Sequence, residues 1–197
     1  MGRTLLLTGR PGIGKTTVIK AVAKSLGQQA GGFYTEEIRG PGGRKGFRLV
    51  TLDGQAAVMA HVNLRDRGRP RVSRYGVDVA AIERVGVAAL RQAMQEGQTV
   101  VVDEIGKMEL FCGPFKDVVL QAVGGLALSP SASAASASKL GINSPEGPYT
   151  VVATVMARPN PWVDSLKAMP NVTLWEVTIQ NRNKLAGQVV AWLRNSG

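Results

Sequence analysis

The chain alternates short apolar runs with amphipathic stretches, and their two periods separate strands from helices. Arg3–Thr8 is an apolar run that stops at Gly9, which predicts a short buried strand. Lys15–Leu26 carries Val18, Ile19, Val22, Ala23 and Leu26 at helical spacing, with Gly27 as terminator. Gly32–Arg39 and Gly46–Leu52 read as strands, and Gly40-Pro41-Gly42-Gly43 between them predicts a hairpin. Asp53-Gly54 marks another turn, with Ala56–Ala60 continuing the meander, while Leu64–Tyr75 is polar, arginine-rich and loop-like. Asp78 is a helix N-cap for the segment in which Val79, Ile82, Val85, Ala89, Leu90, Ala93 and Met94 share one face, and Gly97 ends it.

The second half repeats the alternation. Thr99–Val102 is apolar without a polar face, as expected of a central parallel strand covered on both sides. Gly113–Val123 reads as helix, Tyr149–Val155 as strand, Asn160–Ala168 as a short helix and Asn171–Val177 as a last strand. Gln180–Arg194 closes the chain as a helix with Leu185, Val189, Trp192 and Leu193 as its buried stripe. Strands alternating with helices predict an α/β fold with a mostly parallel sheet, the hairpin region adding antiparallel strands at one edge. One stretch has no such pattern. Ser129–Ser138, inside an Ala/Ser-rich segment at 125–148, offers no apolar face and is expected to be a flexible loop.

Size and composition narrow the class. With 197 residues, 44% apolar and 19% charged, the chain suits one domain, 1–197, with a full core. No run of about 18 apolar residues is present, so no membrane span is expected, and no signal-peptide core precedes Gly9. The single cysteine, Cys112, excludes an intrachain disulfide and fits a cytoplasmic location. A net charge of +10 attracts polyanions, which points to a nucleotide's phosphates or to nucleic acid.

The chemistry is concentrated in two places. Gly9-Arg10-Pro11-Gly12-Ile13-Gly14-Lys15-Thr16 matches G-x-x-x-x-G-K-[ST], between a predicted strand and a predicted helix. Glycines let the backbone wrap a phosphate, the loop amides point inward, and the helix dipole faces the same anion. Lys15 reaches the β- and γ-phosphates, and Thr16 offers a hydroxyl to Mg²⁺. Further on, Asp103-Glu104 stands at the C-terminal end of an apolar strand, where open α/β sheets bind ligands. Asp103 is the second Mg²⁺ residue, acting through the ion's water shell, and Glu104 is the candidate to orient or deprotonate the attacking water. Gly106 permits a tight turn after the pair. Lys107 is then a candidate cation for the transition state, Glu109 a partner for Lys107 or the water network, and Met108, Leu110 and Phe111 packing residues.

Weaker signals surround these. Arg65, Arg67, Arg69, Arg71 and Arg74 form a basic loop that could supply an arginine finger. Glu36 and Glu37 are reserve acids for metal or water, His61 and Cys112 read as structural, and Asn181-Arg182-Asn183 either caps the last helix or touches base or ribose.

GRPGIGKTT, GGFYTEEIRGPGGRKGFRLVTLDG, RYGVDV, VVDEIGKMELF and ATVMARPNP through VTIQNRNKL occur here in that order. In these pieces the chain resembles the small nucleoside-triphosphatase family of archaea and bacteria whose animal member is the cancer-related nucleoside-triphosphatase. The resemblance implies a RecA-like P-loop fold and hydrolysis of ATP, GTP and other nucleoside triphosphates to diphosphates. It also implies two nucleotide-contact stretches, Gly9–Thr16 and Asp103–Leu110, the latter comprising Asp103, Glu104, Ile105, Gly106, Lys107, Met108, Glu109 and Leu110. Leu126–Pro148 departs from the family pattern. Two other classes stand behind hydrolysis: a small-molecule kinase on the same scaffold, and a nucleotide-dependent nucleic-acid-binding protein. Only ten aromatic side chains are available for base stacking, which ranks the last class third.

Overall fold

The computed structural model describes residues 2–124 and 149–195, so the segment expected as a flexible loop at 125–148 lies outside the described residues. The strands are β1 (Thr4–Thr8), β2 (Ala30–Gly40), β3 (Gly43–Thr51), β4 (Ala56–His61), β5 (Arg71–Val72), β6 (Tyr75–Val77), β7 (Thr99–Ile105), β8 (Val151–Val155) and β9 (Val172–Glu176). The helices are α1 (Lys15–Leu26), α2 (79–95), α3 (Gly113–Val123), α4 (Pro161–Lys167) and α5 (Arg182–Arg194).

All nine described strands join one sheet in the order β5-β6-β4-β3-β2-β7-β8-β1-β9. From β2 through β7, β8 and β1 to β9 every pairing is parallel. The hairpin β2–β3, β4 and the small β5–β6 hairpin add antiparallel strands at one edge. One strand, β8, separates β1 from β7, so the phosphate-loop motif and the acidic pair emerge two strands apart at the same end of the sheet.

Alternation along β1 explains the two layers. Leu5 and Leu7 pack with Val18, Ile19 and Val22 of α1 and Leu185 and Val189 of α5 on one face. Leu6 points to the other face, with Phe33, Leu90 of α2, Val102, Phe115 of α3 and Val163 of α4. With both faces covered, β7 and β8 are buried nearly throughout, which is why their sequences do not alternate. Asp78 caps α2 as its residue type suggests, accepting from the Ala81 amide at 3.1 Å. No helix of the described residues is long and apolar enough to cross a membrane.

Two elements differ from the expectation. Within the arginine-rich stretch read as loop, β5 and β6 form a hairpin whose strands are too short to show alternation. Gly76 permits it, since a Cβ there would lie 1.9 Å from the Leu64 carbonyl oxygen. Helix α2 is also irregular, with a π turn at Ile82–Val87. Gly86 in that turn packs against Leu49 and Phe33, where a Cβ would meet Leu49 at 2.9 Å.

Candidate active site

The phosphate loop joins β1 to α1. Gly12 (φ 77°) and Gly14 (φ 110°) take left-handed conformations that a side chain opposes, and this lets the loop fold back over the α1 N-terminus. The first turn of α1 holds no acid, so its positive end is not neutralised from within. Lys15 curls over its own loop, its Nζ donating to the Gly9 carbonyl at 3.0 Å and the Arg10 carbonyl at 3.4 Å. A phosphate placed on the loop replaces those weak partners with a charge. Thr16 stands beside Lys15 on the first turn, and its hydroxyl has no protein partner among the described residues. From α5, Arg182 donates to the Ile13 carbonyl at 3.4 Å.

The acidic pair is built by a β-bulge. Val102 pairs with Ala153 on β8, but the next pair is Ile105 with Val155, so β7 carries one residue more than its partner. That extra residue puts Glu104 at φ 69°, left-handed and strained for a non-glycine. The amide of Glu104, turned out of the ladder, donates to the Thr154 hydroxyl at 2.8 Å. The same hydroxyl donates to Asp103 Oδ1 at 3.0 Å. Asp103 Oδ2 accepts from both the amide (3.2 Å) and the hydroxyl (3.1 Å) of Thr35, because β2 pairs with β7 only up to Phe33 and the Thr35 amide is released there. Asp103 is therefore fixed in a buried pocket while Glu104 points into the open cleft. Burial by the cleft walls, and then the charge of Asp103, raise the Glu104 carboxyl above the usual range, with Lys15 and Arg44 opposing.

Beyond the pair the chain turns sharply. Glu109 folds back to accept from the Gly106 amide at 3.2 Å. Gly106 is squeezed between two acids: a Cβ there would lie 2.8 Å from Glu104 Cγ and 3.1 Å from Glu109 Oε2. Glu109 is itself buried, and burial, followed by the Glu104 charge, pushes its carboxyl well up. It does not pair with Lys107, which is exposed and has no partner among the described residues.

A cavity of about 380 Å³ lies over these groups. Gly9, Pro11, Lys15, Glu104 and Lys107 line it together, so the two stretches separated by about ninety residues share one cleft. Met108 also lines it, whereas Ile105 is fully buried and Leu110 packs against the core.

The reserve candidates are used elsewhere. Glu36 accepts from Lys20 and Arg48 at 2.9 and 2.6 Å, which holds its carboxyl below the usual range, and Glu37 pairs with Arg39 and Arg44. Arg65, Arg69, Arg71 and Arg74 donate to backbone carbonyls of Val62, Val77, Leu64, Arg74 and Arg44, so they hold the loop and hairpin together. His61 accepts from the Asn63 amide, and Cys112 is buried with its thiol raised by burial. Asn181 starts α5 with its backbone carbonyl, while its side chain folds back to the Thr178 amide and the Glu176 carbonyl. Thr35, Thr154 and Arg158 were not singled out from the sequence. Thr154 carried one signal, a lone hydroxyl in an apolar buried strand that demanded a partner.

A phosphate loop on β1, an acidic pair on β7 and one strand between them define a RecA-like P-loop fold of the nucleotide-hydrolysing class. The NTPase family model matches residues 4–127, and the chain belongs to that family. It is 36% identical to the nucleoside-triphosphatase THEP1 of Thermotoga maritima over 96% of this chain and 95% of the relative. It is also 36% identical to the human cancer-related nucleoside-triphosphatase, over 100% of this chain and 99% of the relative. Among solved structures, that of THEP1 from Aquifex aeolicus superposes with a TM-score of 0.75 at 30% identity, covering 96% of this chain and 98% of that one. The solution structure of the human cancer-related protein gives 0.73 at 32% identity over the full length of both.

Proposed function

We propose that this single-domain protein hydrolyses Mg²⁺-bound ATP, GTP and other nucleoside triphosphates to diphosphate and phosphate. One observation carries the reading: Glu104 shares a cleft with Lys15 and the phosphate loop, held there by a strained bulge. The amides of Gly9–Thr16 hold the β- and γ-phosphates, and Lys15 exchanges its loop carbonyls for them. The Thr16 hydroxyl and Asp103 suit Mg²⁺. Among the described residues Thr16 has no partner and Asp103 Oδ1 accepts one bond, which leaves room to meet the ion through its water. When bound, Mg²⁺ would neutralise negative charge on the triphosphate. Glu104 orients a water in line with the γ-phosphate and takes its proton, and its raised affinity for protons suits that task. Lys107 offsets the charge that develops on the transferring group. The buried cysteine suits a reducing compartment, and we place the enzyme in the cytoplasm.

A second reading, phosphoryl transfer to a small-molecule acceptor, draws on the cavity, which is larger than one water needs. Phosphate release without an added acceptor separates the two. The decisive assay follows phosphate from ATP, GTP, CTP and UTP with and without Mg²⁺. Lys15→Ala should lose most affinity or turnover. Glu104→Gln should keep nucleotide binding and lose about 10²–10⁴-fold in turnover. Asp103→Asn should weaken metal dependence and binding together. A Glu104→Gln variant that hydrolyses at the wild-type rate removes Glu104 from the role of base.

A further inference from the structure

The cavity has two unlike halves. One is the phosphate-loop wall of Gly9, Pro11 and Lys15 with Glu104. The other is apolar, formed by Phe47 of β3, Met59 of β4, Val72 of β5, Met108 and Met156. Arg158, on the loop after β8, also lines the cavity. A triphosphate on the loop occupies the first half, and a hydrolase needs space there for one water, whose share of liquid volume is about 30 Å³. The whole cavity, at about 380 Å³, falls within the range of sites that hold small organic ligands.

Further features mark the apolar half as built rather than left over. Arg158 has no ion pair or hydrogen bond among the described residues, although it lies on a defined path. Met156 before it is tied to the Ile105 carbonyl at 3.3 Å, and Asn160 after it caps α4. Lys107, also without a partner among the described residues, lines the same cavity. Ser73, in the turn between β5 and β6, is a non-glycine with left-handed φ (54°) and lines the same cavity. The methionines give the wall a surface that adapts to a ring.

We propose that the half-cavity formed by Phe47, Met59, Val72, Met108, Met156 and Arg158 is a second ligand site, for a small organic anion with an apolar ring, seated beyond the γ-phosphate. The proposal rests on the hydrolytic reading in one respect: it takes the loop side as the triphosphate's place. The anion meets Arg158 while its ring covers the methionines. Occupied, the site shuts out the water that Glu104 would activate. The ligand therefore inhibits turnover without competing with nucleotide.

Anilinonaphthalene sulfonate is the probe, since it joins an aromatic body to one anionic group and brightens in apolar surroundings. It should bind at one per chain and stay bound under saturating Mg²⁺ and a non-hydrolysable ATP analogue. It should lower kcat for phosphate release with KM unchanged. Arg158→Ala, on an exposed loop, should weaken the probe about ten- to a hundredfold, as expected for a charge-assisted bond. Val72→Trp fills the space and should abolish probe binding in a protein that still melts cooperatively. Absence of binding, displacement by the nucleotide analogue, inhibition competitive with ATP, or indifference to both substitutions would each overturn the proposal. Failure of the hydrolytic reading would look different: no phosphate release from the protein without probe, whatever the probe does.

Discussion

Glu104 shows how one residue's backbone decides its chemistry. The bulge gives it a conformation that L-residues avoid, and the cost, of order 1–3 kcal/mol, must be met by surrounding bonds. Thr154 supplies two of them with one hydroxyl, taking the Glu104 amide and holding Asp103. Thr154→Val keeps the shape and removes both bonds. It should lower turnover about 10–100-fold, as for other groups that orient a site, while Thr154→Ser restores most of the loss. Equal activity of the Val and wild-type proteins would leave Thr154 with packing alone. Glu109 makes the opposite case, a buried acid whose environment favours its neutral form. Its folded-state affinity for protons exceeds the unfolded value of 4.5, so the folded protein binds more protons once the pH rises past that value. Stability therefore falls from about pH 4.5 upward until Glu109 ionises in the fold, and is flat beyond. Glu109→Gln, which keeps an acceptor for the Gly106 amide, should raise Tm at pH 8 and leave it unchanged at pH 4. Melting curves at the two pH values check this, and a Tm gain of the same size at both would refute it. At this scale the sequence was readable where motif type and spacing bring residues together, as in Lys15 and Glu104, which line one cavity. It was silent on Thr154 and Thr35, because a threonine in a strand reads first as a β-branched packing residue.

Elements place those residues, and short elements are the ones periodicity misses. Lys15–Leu26 and Gly113–Val123 were legible to the residue, since an apolar stripe several turns long leaves no alternative. The β5–β6 hairpin was not, with two and three residues in its strands. It is defined instead by arginine-to-carbonyl bonds and by the close approach at Gly76. Strand β7 also runs past the apolar run to Ile105, because the bulge carries the acidic pair inside the strand rather than beyond it. The turn after β7 controls the spacing of the two acids. Gly106→Ala adds one methyl group between Glu104 and Glu109, 2.8 Å from Glu104 Cγ and 3.1 Å from Glu109 Oε2. The Glu104 side chain must shift and Glu109 give slightly, yet the phosphate loop is untouched. Nucleotide affinity should stay within a few-fold while turnover drops by tenfold or more, about 1.4 kcal/mol of barrier. Parallel loss of binding and turnover would mean the turn supports the whole cleft rather than Glu104.

At the scale of the molecule, alternation of strand and helix foretold a mostly parallel sheet but not its order. The insertion of β8 between β1 and β7 depends on contacts between residues some 150 positions apart, as in Leu6 with Ala153, which no local pattern encodes. The net charge of +10 is likewise a property of the whole, and its distribution decides its meaning. Lys20, Arg39, Arg44, Arg48, Arg69 and Lys167 are tied to carboxylates. Among the described residues Lys15, Lys107 and Arg158 are not, and all three line the cleft proposed to hold the triphosphate. A concave, cation-lined site focuses the field on an anionic substrate and raises its rate of encounter. Screening shortens that reach from roughly 30 Å at 0.01 M salt to about 3 Å at 1 M. Raising salt across this range at fixed Mg²⁺ should therefore lower kcat/KM for ATP by tenfold or more, with kcat nearly constant. Charge reversal at Lys45, beside the β2–β3 turn and absent from the cleft lining, should leave the salt slope unchanged, whereas Arg158→Ala should flatten it. RNA and DNA should compete weakly at low salt and leave turnover unstimulated. Stimulation of phosphate release by either polymer would show that the excess charge serves a nucleic-acid track instead, and would move the protein into the nucleic-acid-dependent class.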